Sequence, residues 1–232
     1  MIRSRIPELM DAPGLDTGEH THALRALNRV NRLLAVDRRV CAAVRRLGPV
    51  DRMSVLDLGA GGGGFLHYLS KRRGQRGQPV LVGLDRSAFA LAQTRAWYDG
   101  RIRPLLADAH RVPLANNSID VVTCSLFLHH FDEPDVVEIL REATRVARRG
   151  IVVSDLSRSR LALVLTWLTT RVLSRSHVFH VDGPRSVRAA FRVDEMAELA
   201  RRAGMVGASV RRRFPFGLML IWRKPGAADV GA

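Results

Sequence analysis

The feature that most constrains this chain is a regular alternation of short apolar segments with helical patterns between residues 54 and 155. The apolar segments, which predict strands, are Ser54–Leu58, Val80–Leu84, Ile102–Ala107, Ile119–Ser125 and Ile151–Asp155. The helical patterns between them cover Phe65–Lys71, Ala88–Tyr98 and Asp135–Arg148. Strands that are apolar on both faces and alternate with helices are typical of a parallel sheet covered by helices on both sides. The sequence therefore predicts an α/β fold.

The flanking segments follow other patterns. Residues 1–20 predict an irregular arm, and apolar residues recur at helical spacing over Thr21–Leu47. The elements predicted after the fifth strand are an apolar helix over Leu161–Leu173, a polar loop and helix over His177–Phe191, a helix over Asp194–Ala203, and strands over about Val206–Phe214 and Gly217–Arg223. The tight connection between these two strands predicts an antiparallel pair. We expect one domain, with a helical arm at 1–50 and a core at 51–232 that carries a lid insertion at about 157–193.

Composition narrows the class of protein. The chain has 232 residues, of which 47% are hydrophobic and 25% charged, the balance of a folded globular protein. No apolar run reaches the roughly 18 residues that suggest a membrane span, and the N-terminus lacks the apolar centre of a signal peptide. Cys41 and Cys124 are too few for a disulfide scaffold, so we expect a cytoplasmic protein.

The charge is strongly basic. Lysine and arginine number 37 against 22 acids, a formal net charge of +15, and Lys71 and Lys224 are the only lysines. A charge of this size can attract nucleic acid or anionic ligands. Because the arginines are spread along the chain, the sequence favours a solvated basic surface over a dedicated nucleic-acid site.

A glycine-rich loop and three aspartates are the candidate ligand-binding residues. Gly59 and Gly61 follow the first strand, where glycines allow a tight turn and a close approach of the backbone to a ligand. Asp57 precedes the loop and would repel a pyrophosphate but suit a cationic group. Asp85 ends the second strand, where an acid reaches ribose hydroxyls, and Asp108 follows the third, where it can accept from an adenine amino group. These acids predict an adenosine ligand with a cationic tail.

The segments VLDLGAGGG, GLDRS and LLADAHRVPLANNSIDVVTCSLFLHHF resemble the class I S-adenosylmethionine-dependent methyltransferases, in particular the small-molecule group of the ubiquinone/menaquinone-biosynthesis type. The resemblance covers about Val55–Asp155. It implies a Rossmann-like, seven-stranded, mostly parallel sheet with the last strand antiparallel, and S-adenosylmethionine as the cofactor. The residues that it implies at the cofactor are Asp57, Gly59, Ala60 and Gly61 at the methionine part, Asp85 at the ribose, Asp108 and Ala109 at the adenine with Arg86 flanking it, and Cys124 and Ser125 on the methionine side.

The flanks carry a weaker resemblance. The segments MDAPGLDTGEHTHALRALNRVNRLL and SRSHVFHVDGPRSVRAAF resemble a bacterial subgroup of small-molecule methyltransferases, some of which act in polyketide pathways. The helix around Leu24–Leu34 and the insertion around Leu161–His180 are expected to fold over the ligand-binding edge of the sheet and to enclose an apolar acceptor pocket. Arg29 and Arg32 could reach the carboxylate of the cofactor, although a surface position is the simpler interpretation.

Two histidines are candidate catalytic bases. His129 follows the fourth strand, where a methyl acceptor would lie, and histidine accepts protons near neutral pH. His130 occupies a position that is often histidine in the family even without a base. His180, paired with Asp182, is the second candidate. No metal is expected, because relatives that use magnesium carry acids where this chain has Leu126 and His129.

The leading hypothesis is methyl transfer to a small, hydrophobic acceptor, at oxygen as the first choice and carbon as the second. RNA or DNA methylation is an alternative, supported by the charge. Against it, CSLFLHH lacks the Asn/Asp-Pro-Pro-aromatic segment of adenine methylases, and Cys124 follows threonine where cytosine-carbon methylases have proline. A third alternative is a non-catalytic protein that binds S-adenosylmethionine.

Overall fold

The computed structural model describes residues 1–9, 35–72, 79–97, 102–174 and 176–227, together with residues 16, 18, 21, 22, 26, 29 and 30. The strands are β1 (Val55–Leu58), β2 (Leu81–Asp85), β3 (Ile102–Leu106), β4 (Ile119–Ser125), β5 (Ala147–Leu156), β6 (Ser209–Arg213) and β7 (Gly217–Arg223). The helices are α1 (Val36–Arg45), α2 (Gly64–Ser70), α3 (Ala88–Trp97), α4 (Glu133–Val146), α5 (Arg160–Leu173), α6 (His177–Ala189) and α7 (Val193–Arg202). Short 3₁₀ turns occupy Val50–Arg52 and Leu128–His130.

The strands form one seven-stranded sheet in the order β3-β2-β1-β4-β5-β7-β6. Strands β1 to β5 are parallel, and β7 runs antiparallel to both β5 and β6. The mostly parallel sheet and its antiparallel last strand are thus confirmed. The order reverses at β1, which pairs with β2 on one side and with β4 on the other. Such a reversal opens a crevice at the carboxyl ends of the strands.

Helices cover both faces of the sheet, as predicted. On one face, Ile139 of α4 and Met196 of α7 are fully buried in the larger core cluster. On the other face, Val40 of α1 and Leu69 of α2 lie in a second cluster. Both sides of each central strand are therefore shielded from water, so β1 is buried at every position and β4 at every position except the last.

The predicted continuous helix over Thr21–Leu47 is wrong in one respect. Ala35 adopts a left-handed conformation with φ 53°, and α1 begins only after it, at Val36. The described residues before this break, 18, 21, 22, 26, 29 and 30, are helical. Neither glycine nor proline marks the break, so the apolar spacing continues across it. Leu24, Leu27, Arg32, Leu33 and Leu34 lie outside the described residues.

The insertion after β5 forms a pair of packed helices, α5 and α6. The region 177–191, for which the sequence predicts both loop and helix, is helical to Ala189 even though it contains Pro184. Val30 of the N-terminal arm packs against Phe179 of α6. Within the described part of the chain, no helix combines the length and apolar character that crossing a bilayer requires.

Candidate active site

The residues that follow β1 and β4 open onto one cavity of about 1160 Å³. Its walls come from the glycine loop, from the ends of β2, β4 and β5, from α5 and α6, from residues 213–219, and from residues 5–8 of the N-terminal arm. A single small-molecule pocket typically measures roughly 300–1,000 Å³. This cavity is therefore large enough to hold a cofactor and a second small molecule together.

The glycine loop after β1 forms one wall. Gly59, Gly61 and Gly63 have φ angles of 65°, 51° and 67°, which residues with a side chain rarely adopt. Among the residues that the structure describes, no atom lies within 4 Å of where a Cβ atom at Gly61 would be, whereas one at Gly59 would collide with the ring of Phe127. The space beside the Gly61 Cα atom is therefore clear of described residues, as the close approach of a cofactor requires.

Asp85 joins this loop to the end of β2. Its Oδ2 accepts a hydrogen bond of 2.8 Å from the backbone N–H of Gly61, and its Oδ1 accepts one of 2.9 Å from that of Ser87. Each carboxylate oxygen has a further lone pair, so Asp85 can still accept hydrogen bonds from two ribose hydroxyls. Asp85 and its neighbour Arg86 both line the cavity, where the sequence places a cofactor.

Asp57 lies directly behind the loop and is buried. The hydroxyl of Thr123 donates a 2.7 Å hydrogen bond to its Oδ1. Burial raises the pKa of Asp57 to about 7, against the opposing effect of that hydrogen bond. Asp57 is not in the cavity wall, so its contact with a cofactor ammonium group stays a prediction. A cation at that position would favour the ionised carboxylate.

The predicted adenine residues differ in their surroundings. Asp108 is exposed, and its Oδ1 accepts hydrogen bonds from the backbone N–H of His110 at 2.9 Å and pairs with His110 Nδ1 at 2.7 Å. The hydrogen bonds from His110 hold the pKa of Asp108 below its usual value. His110 lines the cavity, whereas the side chain of Ala109 packs in the core. A contact with Ala109 would therefore use its backbone.

The remaining predicted cofactor residues lie behind the cavity wall. Cys124 packs in the core, where burial raises the pKa of its thiol well above the usual value, and Ala60 packs against the second core cluster. The Oγ atom of Ser125 is buried and has no hydrogen-bond partner among the residues that the structure describes. A buried hydroxyl without a protein partner fits a site that a ligand completes.

His129 lies at the opposite wall, between two carboxylates. Its Nδ1 is 2.6 Å from Asp155 Oδ1, and its Nε2 is 3.6 Å from Glu8 Oε1. Burial alone would lower the pKa of His129, but Asp155 and Glu8 outweigh it and raise that pKa to about 10. The imidazole is therefore protonated at neutral pH.

Glu8 belongs to the N-terminal arm, which the side chains of Arg3 and Arg5 fasten to the sheet edge. Arg3 donates to the carbonyl oxygen of Phe131 at 2.6 Å, and Arg5 donates to that of His130 at 2.8 Å. The Oγ atom of Ser186 donates to Glu8. Burial would raise the pKa of Glu8, but the two histidines and Ser186 keep it below the usual value. Residues 1–9 thus place a carboxylate inside the cavity.

His180, the second candidate base, does not line the cavity with His129. His180 Nε2 is 2.7 Å from the carbonyl oxygen of Ser174, whereas Asp182 Oδ1 accepts a hydrogen bond of 2.8 Å from the backbone N–H of Leu9. Asp182 lines the cavity, and His180 is not in its wall. His180 and Asp182 therefore hydrogen-bond to other partners instead of forming the expected couple. The catalytic role of His180 stays a prediction.

Sequence reasoning missed Glu8 and Asp155. Asp155 ends the fifth strand as Asp85 ends the second, so the same strand-end pattern could have found it. Glu8 gives no such signal, because contacts more than 100 residues away in sequence place it in the site. Two groups of described side chains, Glu8 with His129 and His130, and His110 with Asp135 and Glu138, are close enough to hold an ion. The expectation of a metal-free site thus stays a prediction.

This fold and this site together define a class of protein. A sheet in this order, with an acid and a glycine loop at its reversal point, is the arrangement that the sequence resemblance implies, and the family model for a methyltransferase domain matches residues 55–150. These findings support a class I S-adenosylmethionine-dependent methyltransferase that resembles the ubiquinone/menaquinone-biosynthesis enzymes. Its cofactor is S-adenosylmethionine, which fits the space beside the Gly61 Cα atom, the acceptor oxygens of Asp85 and the buried Oγ of Ser125.

Individual relatives support this assignment. The chain is 27% identical over 184 residues to the ubiquinone/menaquinone biosynthesis C-methyltransferase UbiE of Cupriavidus metallidurans, covering 69% of this chain and 75% of that protein. It is 33% identical over 97 residues to UbiE of Burkholderia vietnamiensis, covering 41% of this chain and 39% of that protein. The fold matches the plantazolicin methyltransferase BpumL in complex with SAH, with a TM-score of 0.65 and 17% identity over 90% of this chain and 92% of that chain.

Proposed function

We propose that the protein transfers the methyl group of S-adenosylmethionine to an oxygen atom of a small, largely apolar acceptor, such as a phenol, bound beside His129. The observation that carries this proposal is the array Glu8–His129–Asp155 in the wall of the same cavity that the glycine loop and Asp85 line. A charged array of this kind can bind and deprotonate a hydroxyl group, whereas the cavity wall taken as a whole exposes more apolar than polar surface. Secondary metabolism, including a polyketide pathway, is the proposed setting.

For the cofactor, the main task of the protein is to hold the methyl group in the correct orientation for transfer. When bound, S-adenosylmethionine supplies a methyl group on a sulfonium, which the acceptor displaces in line. Asp85 would hold the ribose and the backbone of Gly61 would lie against the methionine part, with Asp57 as the carboxylate that would pair with the ammonium group. Since positive charge is dispersed as the reaction proceeds, the protein contributes mainly by positioning and by excluding water. The aromatic residues in the cavity wall suit that task; they are Phe89, Phe127, Phe131, Phe179, Phe214 and Phe216.

Methylation of the acceptor oxygen also requires that its hydroxyl proton be removed. The raised pKa of His129 makes it an imidazolium, so it donates a hydrogen bond from Nε2 to the acceptor oxygen rather than taking its proton. Glu8, next to Nε2, is the carboxylate that receives the hydroxyl proton and passes it to solvent. The oxygen–hydrogen bond breaks, the oxygen–carbon bond forms, and the carbon–sulfur bond of the cofactor breaks. Asp155 keeps the imidazolium in place through Nδ1.

Turnover of three variants tests this assignment. With a phenolic acceptor, His129→Ala and Glu8→Gln are expected to lower kcat by roughly 10²–10⁴-fold, the usual effect of losing acid–base catalysis. Their affinity for S-adenosylmethionine, measured by calorimetry, should stay near that of the wild type. His180→Ala is the matched control and should retain nearly full activity. Loss of activity in His180→Ala with full activity in His129→Ala would contradict the proposal.

A carbon acceptor is the second candidate, and the similarity to C-methyltransferases of ubiquinone and menaquinone biosynthesis favours it. A carbon acid would use the same Glu8 carboxylate to form its carbanion. The two candidates differ in the product, since methylation at oxygen leaves a methoxy group and methylation at carbon removes a ring or chain hydrogen. Product analysis of the wild-type reaction therefore separates them.

A further inference from the structure

The helix α5 is polar on its inner side and apolar on its outer side. Thr166, Thr169 and Thr170 face inward and line the cavity. The outer face of α5, by which we mean Leu161, Val164, Trp167, Leu168 and Val172, is between 45% and 79% exposed. A surface helix of a globular domain normally shows the opposite arrangement, with its apolar side against the core. Packing within the domain therefore does not explain why the outer face of α5 is apolar.

The apolar residues form one continuous stripe. Leu161, Val164, Leu168 and Val172 are spaced by three or four residues, which places them in a row along one side of the helix. Trp167 lies beside this row, and the Arg171 guanidinium is 4.2 Å from the centre of its ring. A contiguous exposed apolar patch with a polar border marks a surface that binds another apolar surface.

The charge around this stripe has one sign. Between Ser157 and Val181 the chain contains four arginines and neither aspartate nor glutamate. Arg158 is buried against Glu195, but Arg160 and Arg171 are exposed at the border of the outer face of α5. A second copy of this chain would present the same arginines and a net charge of +15, so like-charge repulsion opposes self-association through this face.

We propose that the outer face of α5 docks on an anionic lipid bilayer. An anionic bilayer supplies the apolar region that the stripe needs and the negative surface that the arginines need. The 14 residues of α5 are too few to span a bilayer, which takes about 20, so the helix lies in the interface with Trp167 at the level of the head groups.

Docking in this way brings the cavity to the membrane. The threonine side of α5 lines the cavity, and the opposite side contacts lipid. An apolar acceptor dissolved in the bilayer would then reach His129 without crossing bulk water. This route for the acceptor rests on the proposed function, whereas the docking itself does not.

Flotation with vesicles tests the docking without cofactor or acceptor. The protein is expected to float with vesicles of phosphatidylglycerol and phosphatidylcholine and to bind vesicles of phosphatidylcholine alone much more weakly. The double variant Val164→Ser/Leu168→Ser should bind the anionic vesicles at least about tenfold more weakly, because two apolar side chains lose their burial. Arg160→Gln/Arg171→Gln should also bind more weakly. Fluorescence of Trp167 should shift to shorter wavelength on binding, with Trp167→Phe as the blank.

Matched variants control for general effects. Val206→Ser removes another exposed valine, and Arg211→Gln/Arg212→Gln removes the same charge from β6; both should bind vesicles as the wild type does. An unchanged melting temperature shows that each variant is folded. Absence of binding by the wild type, or equal loss in the β6 variant, would overturn the proposal. So would a dimer that only the Val164→Ser/Leu168→Ser variant fails to form. Failure here leaves methyl transfer to a dispersed acceptor unaffected, so the two proposals fail separately.

Discussion

At the scale of single residues, the buried carboxyl group of Asp57 lowers the stability of the fold but prepares the site to bind a cation. Burial raises its pKa from 3.8 to about 7, so ionisation costs the empty protein stability as the pH rises between these values. The group is ready to ionise when a cation arrives. An uncharged isostere should therefore stabilise the empty fold above pH 7 and weaken cofactor binding.

Cofactor binding should accordingly release a proton. Below pH 7, Asp57 is largely protonated in the empty site and must ionise to pair with the ammonium group, so affinity should rise by up to about tenfold per pH unit between pH 5.5 and 7. Calorimetry in two buffers of different ionisation enthalpy measures the proton released. Asp57→Asn should abolish the release, lower the affinity, and raise the melting temperature of the empty protein at pH 8. An affinity that is independent of pH in the wild type would show that Asp57 does not meet the cation.

Two glycines of the loop give a matched pair of variants. Gly59→Ala places a methyl group into the ring of Phe127, so it should unfold at a markedly lower temperature than the wild type. The added methyl group of Gly61→Ala meets no atom of the described residues, so this variant should cost only about 1–2 kcal/mol for its left-handed backbone. Its methyl group points into the cofactor space, however, and should weaken S-adenosylmethionine binding strongly. Equal cofactor affinity in Gly61→Ala and the wild type would place the cofactor elsewhere.

At the scale of elements, Asp120 connects the starts of three strands on the edge away from the cavity. It accepts from the backbone N–H and hydroxyl of Ser54 before β1, and from Arg148 and Arg149 in β5. Burial would raise the pKa of Asp120, but these hydrogen bonds outweigh it and lower that pKa. This contribution to stability is present above the unfolded pKa and is lost as the pH falls through the lower, folded value.

Asp120→Asn should therefore destabilise the fold by roughly 1–3 kcal/mol at neutral pH, the usual cost of an unsatisfied buried partner. Urea unfolding at pH 7 and at pH 3 measures the difference, which should shrink at the lower pH. Cofactor affinity should not change, because Asp120 is not in the cavity wall. A variant as stable as the wild type at pH 7 would refute this role.

The elements differ in how well the sequence predicts them. The central strands β1, β2 and β4 are predictable because burial on both faces keeps most of their residues apolar, and Gly217–Arg223 agrees residue for residue with β7. The break at Ala35 is not predictable, since apolar spacing continues through it and no glycine or proline marks it. In the site, Asp85 follows from its place at a strand end. Glu8 does not, because its position depends on long-range contacts made by Arg3, Arg5 and Ser186.

At the scale of the whole molecule, some of the arginines behind the net charge of +15 make internal contacts. Arg145 donates to Glu142 and to the carbonyl oxygens of Val112 and Leu114, and Arg158 pairs with Glu195. We expect RNA to bind weakly, without sequence preference, and with an affinity that falls steeply as salt is added. Filter binding between low and moderate salt measures this. Salt-resistant, selective binding together with methylation of the RNA would support a nucleic-acid substrate instead.

We infer that a methyl group passes from S-adenosylmethionine to an acceptor oxygen in this cavity. The most direct measurement uses cofactor labelled isotopically in its methyl group, phenols with apolar chains as acceptors, and magnetic resonance of the product. We expect a labelled methoxy group, one demethylated cofactor for each methyl transferred, and product formation that is slower by roughly 10²–10⁴-fold with His129→Ala. Label on a carbon atom or on nucleic acid, or bound cofactor without transfer to any acceptor, would contradict it.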